Sequence, residues 1–379
     1  MSGPHARSQD RPPRVLVVNL GRFGGVTEYG WSMARALSRR CDIAVMYSSA
    51  AENRHKWSEL DVPRLEVETF SSVPGMLAAM LSPARFTRLR RFARAFDPDI
   101  IYYPGGHAFK PVLDVVLPSR AKVVLTVHDP KLHHGEDSLP ERLLTAVNRL
   151  RVDGYVLLNE VQRAEYIARY RLDPAKVLMI PLGIFEDLKL PGPAPEPTAR
   201  QGLLFVGRIR PYKGLGVLLD AYRTAAIDPV TPLLIAGQGQ LSAEETASLE
   251  RLQAEGRPVS VINRWLQPDE IPPLVATSRF VVLPYTSATQ SGVVPLASAL
   301  GVPAIAAAAG GITEQVIDGT TGLLFAPGDS EALALVLGRA LALDAEAYAA
   351  MAAACERHAR EHWDWDLLSG KLLEFIEGL

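Results

Sequence analysis

The sequence predicts two doubly wound α/β domains in tandem, each built on a parallel sheet with helices on both faces. Short apolar runs alternate with amphipathic segments, starting near residues 14, 42, 99, 122, 155 and 176. The same alternation restarts with runs near residues 203, 233, 259, 280, 303 and 322. Between the two series lies the proline-rich segment LKLPGPAPEPTARQ, which favours an extended linker.

These patterns divide the chain into five parts. We expect a disordered tail over 1–13, a first Rossmann-like domain over 14–187, the linker over 188–201, a second Rossmann-like domain over 202–360 and a final helix over 361–379. Open parallel sheets bind ligands beyond the carboxyl ends of their strands, so the active site is expected in a cleft between the two domains.

Composition excludes some classes of protein. The 379 residues include 40 Lys plus Arg against 42 Asp plus Glu, a balance that gives no overall field for nucleic acid. With only two cysteines, Cys41 and Cys355, a disulfide framework is excluded. The first thirteen residues lack the apolar core of a secretion signal. We therefore expect a cytoplasmic protein.

A glycine turn follows the first predicted strand. Gly24 and Gly25 directly precede a helical pattern, and glycines let the backbone approach a ligand closely. A helix N-terminus offers unpaired N–H groups to phosphate. The spacing is not G-x-G-x-x-G, which argues against a nicotinamide site. A turn with a purely structural role is the alternative.

A basic loop opens the second domain. Arg208 and Lys213 lie five residues apart, directly after the strand that starts near residue 203. A guanidinium and an ammonium that converge on one point suit a diphosphate, and they would neutralise the charge that builds up on a leaving phosphate. A solvated basic loop is the alternative.

Taken together, the glycine and proline positions resemble a family. The chain is similar to family-4-type retaining glycosyltransferases with the GT-B fold. The residues that carry this resemblance are Gly24-Gly25, Gly207-Arg208, Lys213-Gly214, Gly237, Gly239, Pro284, Gly292, Gly301-Val302-Pro303, Gly310-Gly311, Glu314, Asp318-Gly319, Gly322 and Pro327-Gly328-Asp329.

The resemblance implies a sugar-transfer reaction and a separate binding role for each domain. The first domain would bind the acceptor, a glycan, a lipid-linked molecule or a small molecule, and the second would bind a nucleoside-diphosphate sugar. Gly24, Gly25, Arg208 and Lys213 would contact the diphosphate, and the segment at Asn263 and Arg264 would lie beside the base. The final helix would cross back to the first domain. The family needs no cofactor besides the donor, and polysaccharide biosynthesis is a typical setting.

One segment departs from the family. A pair of glutamates, directed at the donor sugar and the ribose, is missing. Aligned on Gly292 the two positions are Thr289 and Ala297, and aligned on Gly301 they are Ala288 and Leu296. Contacts to the donor are therefore assigned to the uncharged residues of the same segment: Thr289, Gln290, Ser291, Gly292 and Val293.

Polar residues follow two strands of the first domain. His128 and Asp129 end the strand that starts near residue 122, and the resemblance places such a histidine near the transferred sugar. Asp129 could accept the acceptor's proton, so both residues are assigned to catalysis. Acceptor contacts are assigned to Gly106, His107, His133, His134 and Glu136. His133, His134, Glu136 and Asp137 are of residue types that bind metals, but their spacing matches no zinc pattern that we can name, so no metal site is predicted. Ordinary surface polarity is the alternative for His133 and His134.

A basic amphipathic helix is predicted over 84–96. It combines five arginines with a stripe of Phe and Leu at helical spacing. Such a helix could rest on the inner face of an anionic membrane, whereas the alternative is a solvated outer face. For the whole chain, two further functions stay open because of the missing glutamates: a nucleotide-sugar-binding regulatory protein without transferase activity, and a GT-B-type sugar-nucleotide epimerase.

Overall fold

A computed structural model describes residues 11–69, 83–128, 143, 146–184 and 190–379. Among them, seven strands form a first sheet in the order β3-β2-β1-β4-β5-β6-β7, with every neighbouring pair parallel. The strands are β1 (Val15–Asn19), β2 (Ile43–Ser48), β3 (Arg64–Val67), β4 (Ile100–Tyr103), β5 (Lys122–Val127), β6 (Gly154–Leu157) and β7 (Val177–Met179). The helices around them are α1 (Gly25–Ser38), α2 (Arg54–Glu59), α3 (Pro83–Phe96), α4 (Lys110–Val116) and α5 (Glu160–Tyr170).

A second parallel sheet follows, in the order β10-β9-β8-β11-β12-β13. Its strands are β8 (Gln201–Val206), β9 (Leu233–Ala236), β10 (Val259–Ile262), β11 (Ser278–Leu283), β12 (Ala304–Ala307) and β13 (Gly322–Phe325). The remaining helices are α6 (Leu215–Thr224), α7 (Ala243–Ala254), α8 (Ile271–Thr277), α9 (Val293–Ala299), α10 (Ile312–Gln315), α11 (Ser330–Leu341), α12 (Ala345–His362) and α13 (Trp365–Glu377). Two doubly wound parallel-sheet domains confirm the predicted fold class.

Apolar side chains fill both faces of each sheet. Continuous apolar runs such as VLVVN in β1 are buried along their whole length, as expected of parallel strands covered on both sides. Each sheet reverses its direction of growth once, between β1 and β4 in the first and between β8 and β11 in the second. The carboxyl ends of these four strands therefore frame the ligand-binding edges.

The last helix belongs to the first domain. α13 packs on α1, and Trp365 at its start joins the core on that face of the first sheet. The indole Nε1 of Trp365 donates a hydrogen bond to the carbonyl oxygen of Ile184 at 2.5 Å. Trp363, two residues earlier, is buried in the core of the second domain. The chain thus crosses between the domains within a few residues. Within the described part of the chain, none of the helices combines the length and hydrophobicity that a membrane span requires.

Candidate functional site

The glycine turn joins β1 to α1. Asn19, the last residue of β1, donates through Nδ2 to the carbonyl oxygen of Thr27 at 3.3 Å, which ties the strand end to the first turn of the helix. Gly24 precedes the helix with φ of +75°, in the left-handed region that favours glycine. Its carbonyl oxygen accepts from the backbone N–H and the Oγ1 of Thr27, at 3.1 and 2.7 Å. The predicted turn at a helix N-terminus is therefore present.

A carboxylate already occupies this turn. The Gly24 N–H donates to Oε1 of Glu52 at 2.5 Å, and the Glu52 N–H donates to the carbonyl oxygen of Arg22 at 2.9 Å. Burial has the largest effect on the pKa of Glu52 and raises it, and the nearby charge of Glu28 raises it further. The hydrogen bonds from the Gly24 N–H and the Thr27 side chain and the charge of Lys56 lower the pKa of Glu52. Glu28 itself is paired with Lys56, whose Nζ lies 2.8 Å from Oε2. No sequence pattern predicts Glu28, Glu52 and Lys56 as site residues, because contacts between α1 and the segment after β2 leave no local pattern.

The basic loop follows β8. Lys213 ends a short 3-10 helix, and its Nζ donates to Oη of Tyr285 at 2.6 Å while lying 4.0 Å from the centre of that ring. The next residue, Gly214, has φ of +67°, and a Cβ there would stand 1.9 Å from the carbonyl oxygen of Pro284. This close approach holds the Lys213 loop against the segment that follows β11. Arg208 is exposed and makes no hydrogen bond or ion pair with any described residue.

A cleft between the domains brings the turn and the loop together. Its cavity of about 230 Å³ is lined from the first domain by the turn and its charged neighbours: Gly24, Gly25, Glu28, Glu52 and Lys56. The second domain contributes the strand-end residues Gly207, Arg208, Gly237 and Gln238, and an apolar wall of Trp265, Leu266, Pro268, Ile271, Pro272 and Leu296. The Lys213 ammonium lies near this cleft, since a Cβ on Gly207 would be 3.9 Å from Nζ. An anion in the cleft would thus meet Arg208 opposite the glycine turn.

The neutral segment assigned to the donor sugar is largely bound within the protein. The Ser291 N–H donates to Oε1 of Gln315 at 2.9 Å, and the Val293 N–H lies 3.3 Å from the Ser291 Oγ. The carbonyl oxygen of Thr289 accepts from Asn159 at 2.8 Å. The N–H groups of Ser291 and Val293 therefore already have acceptors within the protein. Gln290 and Gly292 lie in the same loop, directly before α9.

The segment assigned to the base has internal partners as well. Arg264 forms a double hydrogen bond with the carboxylate of Glu270, at 2.6 and 2.9 Å. Asn263 accepts from the Gly239 N–H at 3.1 Å. The neighbouring side chains, Trp265 and Leu266, line the cleft instead.

In the first domain, His128 lies next to the glycine turn. Its Nε2 lies 2.7 Å from the carbonyl oxygen of Pro104, and its ring meets that of Tyr29 edge to face at 5.0 Å. Gly105 separates it from α1, because a Cβ there would stand 2.7 Å from Val26 and 3.8 Å from the His128 ring. The carboxyl ends of β1, β4 and β5, which are neighbours in the sheet, thus lie close together.

His107 has hydrogen-bond partners within the first domain and is not among the residues that line the cleft cavity. Its Nδ1 accepts from the Phe109 N–H at 3.1 Å, its own N–H donates to Asn148 at 3.0 Å, and burial lowers its pKa to about 4. Gly106 packs near Asn148. The other predicted residues of this region, Asp129, His133, His134 and Glu136, lie outside the described residues. Across the described ranges, His, Cys, Asp and Glu side chains nowhere form a group of three that could hold a metal ion.

The basic helix over 84–96 corresponds to α3. Leu89, Ala93 and Phe96 are buried in the core on one face of the first sheet, so its apolar stripe is used within the domain. Arg88, Arg91 and Arg94 are exposed. Any contact of this helix with a membrane would therefore depend on charge.

A direct contact between the domains joins α10 of the second to the start of α5 of the first. The carboxylate of Glu314 on α10 accepts from the backbone N–H groups of Glu160 and Val161, at 2.8 and 3.0 Å. These are the first N–H groups of α5, where a negative charge is stabilising. Asn159, the N-cap of α5, donates to Thr289 across the same boundary. The second domain thus caps a helix of the first.

Two family models match the chain in tandem. Residues 23–188 match the model described as Glycosyltransferase Family 4, and residues 200–342 match Glycosyl transferases group 1. A D-inositol 3-phosphate glycosyltransferase of Salinispora tropica is 27% identical over 93% of this chain and 81% of that protein. A protein with the same description from Mycolicibacterium paratuberculosis is 30% identical, over 68% of this chain and 60% of its own length, which is less than two thirds.

Solved structures share the fold. Anabaena HepE in complex with UDP and glucose superposes with a TM-score of 0.75 at 18% identity, covering 97% of this chain and 100% of that one. WaaG, a glycosyltransferase involved in lipopolysaccharide biosynthesis, gives a TM-score of 0.63 at 18% identity over 96% and 100% of the two chains.

Proposed function

The chain belongs to the glycosyltransferases with the GT-B fold, and from this premise we propose that it transfers a sugar from a nucleoside-diphosphate sugar to an acceptor hydroxyl, with retained anomeric configuration and without a metal ion. The observation that carries the proposal is the position of Arg208 across the cleft from the Gly24-Gly25 turn. A diphosphate between them would meet N–H groups on one side and cations on the other.

The two cations have different tasks in this reaction. Arg208 has no hydrogen-bond or ion-pair partner among the described residues, so its guanidinium is available to form bidentate hydrogen bonds with a diphosphate. Lys213 is already positioned by Tyr285, so its ammonium can stabilise the charge that grows on the leaving phosphate without reorganising. The leaving phosphate itself can take the proton of the acceptor hydroxyl, since a protein nucleophile is not required for such a same-face transfer.

The relatives suggest where to begin with substrates. Anabaena HepE has been solved with UDP and with UDP-glucose, which favours UDP-sugars as the first donors to test. The relatives described as D-inositol 3-phosphate glycosyltransferases favour a phosphorylated small-molecule acceptor over a glycan or lipid-linked one. A thermal-shift series with UDP-, GDP- and ADP-sugars would then identify the donor, because a ligand that binds only the native state raises the unfolding temperature.

Substitution of the two cations tests the proposed mechanism. Arg208→Ala and Lys213→Ala should each lower turnover by about a hundredfold or more while the unfolding temperature is kept. Arg210→Ala is the matched control, since this exposed arginine belongs to the same loop but does not line the cleft. Turnover at the wild-type level in either cleft variant would refute the assignment.

The two alternative functions give different results with the wild-type protein. Donor binding without any transfer or hydrolysis would identify a regulatory protein, a function favoured by the absence of glutamates at Ala288, Thr289, Leu296 and Ala297. Conversion of the donor in the absence of an acceptor would identify an epimerase.

A further inference from the structure

The glycine turn holds an anion of its own. Gly24 stands directly before a helix of fourteen residues, so its N–H is one of the groups that a helix N-terminus offers to phosphate. Here that N–H donates to the Glu52 carboxylate at 2.5 Å, and both residues line the cleft. A phosphate that used the same N–H would have to take the place of a carboxylate oxygen.

The backbone keeps Glu52 in reach of the turn. The Glu52 N–H donates to Arg22 within the glycine turn, and Asn53 accepts from the indole of Trp57, which is fully buried. The start of α2 is therefore fixed, while the Glu52 side chain is only partly buried. The carboxylate can rotate away from Gly24 without moving the chain that carries it.

The neighbouring charges do not cancel that of Glu52. Lys56 is the near cation on the first-domain wall, and its ammonium is paired with Glu28 at 2.8 Å, with both side chains nearly buried. Glu28 repels Glu52, and Arg208 lies on the opposite wall. Two anions at the turn, Glu52 and a phosphate, would repel each other in a partly desolvated cleft.

We propose that the Glu52 carboxylate is an internal competitor for the diphosphate: it accepts from the Gly24 N–H and has to leave before a nucleoside diphosphate binds the turn. The proposal rests on the function proposed above and adds a group that limits donor affinity. It makes Glu52 the residue that keeps the turn ordered when no donor is present and weakens binding of any anion that cannot displace it.

Binding of UDP to Glu52→Ala and Glu52→Gln, measured by isothermal titration calorimetry, tests the competition. In Glu52→Ala, binding should tighten roughly tenfold or more, because the phosphate no longer has to displace a charge-assisted hydrogen bond. The effect in Glu52→Gln should be the smaller one, because the amide oxygen can still accept from Gly24. Glu59→Gln is the matched control: it removes the same charge from an exposed position on α2 and should leave the affinity unchanged.

A purely structural role for Glu52 predicts the opposite result. If the carboxylate only orders the turn, Glu52→Ala should bind UDP more weakly than wild type, and Glu52→Gln should bind equally well. If neither variant binds UDP more tightly than wild type, Glu52 does not compete with the diphosphate, and the proposed function stays in place. Failure of wild type and variants to bind UDP, GDP or ADP would overturn both.

Discussion

The contact between Glu314 and α5 supports a prediction about how the two domains hold together. Glu314→Ala removes a carboxylate that accepts from the Glu160 and Val161 N–H groups at 2.8 and 3.0 Å. No residue within α5 can replace it, because the first N–H groups of a helix have no intrahelical acceptor. The substitution should therefore expose these two amides to solvent.

The free energy that the two hydrogen bonds contribute depends on how exposed Glu314 is. A hydrogen bond to a charged group contributes about 1.5–3 kcal/mol when buried. Glu314 is exposed, so solvent screening reduces each bond to about 0.5–1 kcal/mol. The two bonds together then contribute about 1–2 kcal/mol, which corresponds to a roughly five- to thirtyfold change in the opening equilibrium.

Hydrogen exchange resolved at single amides measures this change. The amides of Glu160 and Val161 should exchange roughly five- to thirtyfold faster in Glu314→Ala. The Gln162 amide is an internal control, because it donates to Asn159 Oδ1 at 2.8 Å within the first domain. Glu250→Ala, at an exposed position within α7, is the control for the loss of one negative charge. Unchanged exchange at Glu160 and Val161, or an equal increase at Gln162, would refute the idea that Glu314 caps α5 across the domain boundary.

Two further predictions concern stability and donor choice. An unfolded histidine has a pKa near 6.5, and burial lowers the pKa of His107 to about 4. Between these two pH values the unfolded state therefore binds more protons than the folded state. The free energy of unfolding should fall by up to about 3 kcal/mol as the pH drops from about 6.5 to 4. His107→Asn keeps an acceptor for the Phe109 N–H and should lose less stability on acidification, as measured by urea unfolding; parallel pH profiles would contradict this. The family resemblance implies a carboxylate that faces the ribose at Ala297 or Leu296, and both of these side chains are apolar; Leu296 lines the cleft. Calorimetry should therefore find dUDP and UDP bound within about threefold of each other, and a preference for UDP above about tenfold would contradict this.

The local signals in the sequence accounted for most of the fold. Twelve of the strands coincide with apolar runs, and most of them are apolar throughout because both of their faces are covered. β3 was missed: it is a four-residue edge strand with the sequence RLEV, in which only Leu65 and Val67 are buried. A run so short, with charged residues at alternate positions, does not stand out from a loop.

The candidate site was only half predictable, for a physical reason. Glycines and cations that follow a strand directly, such as Gly24 and Arg208, are placed by the strand itself, so their position can be predicted from the chain. The partners of these residues come from other elements. Glu52 meets Gly24 across 28 residues, and Asn159 meets Thr289 across 130 residues. Such contacts depend on how the elements pack, and no local pattern in the sequence reports them.

The distribution of charge in the cleft changes what the missing glutamates imply. Carboxylates are present in the cleft, but they belong to the first domain, where Glu28 is paired with Lys56 and Glu52 accepts from Gly24. The opposite wall presents Arg208 and apolar side chains. A donor would therefore meet negative charge on the acceptor side and cations on its own side. That asymmetry favours departure of the diphosphate toward the second domain.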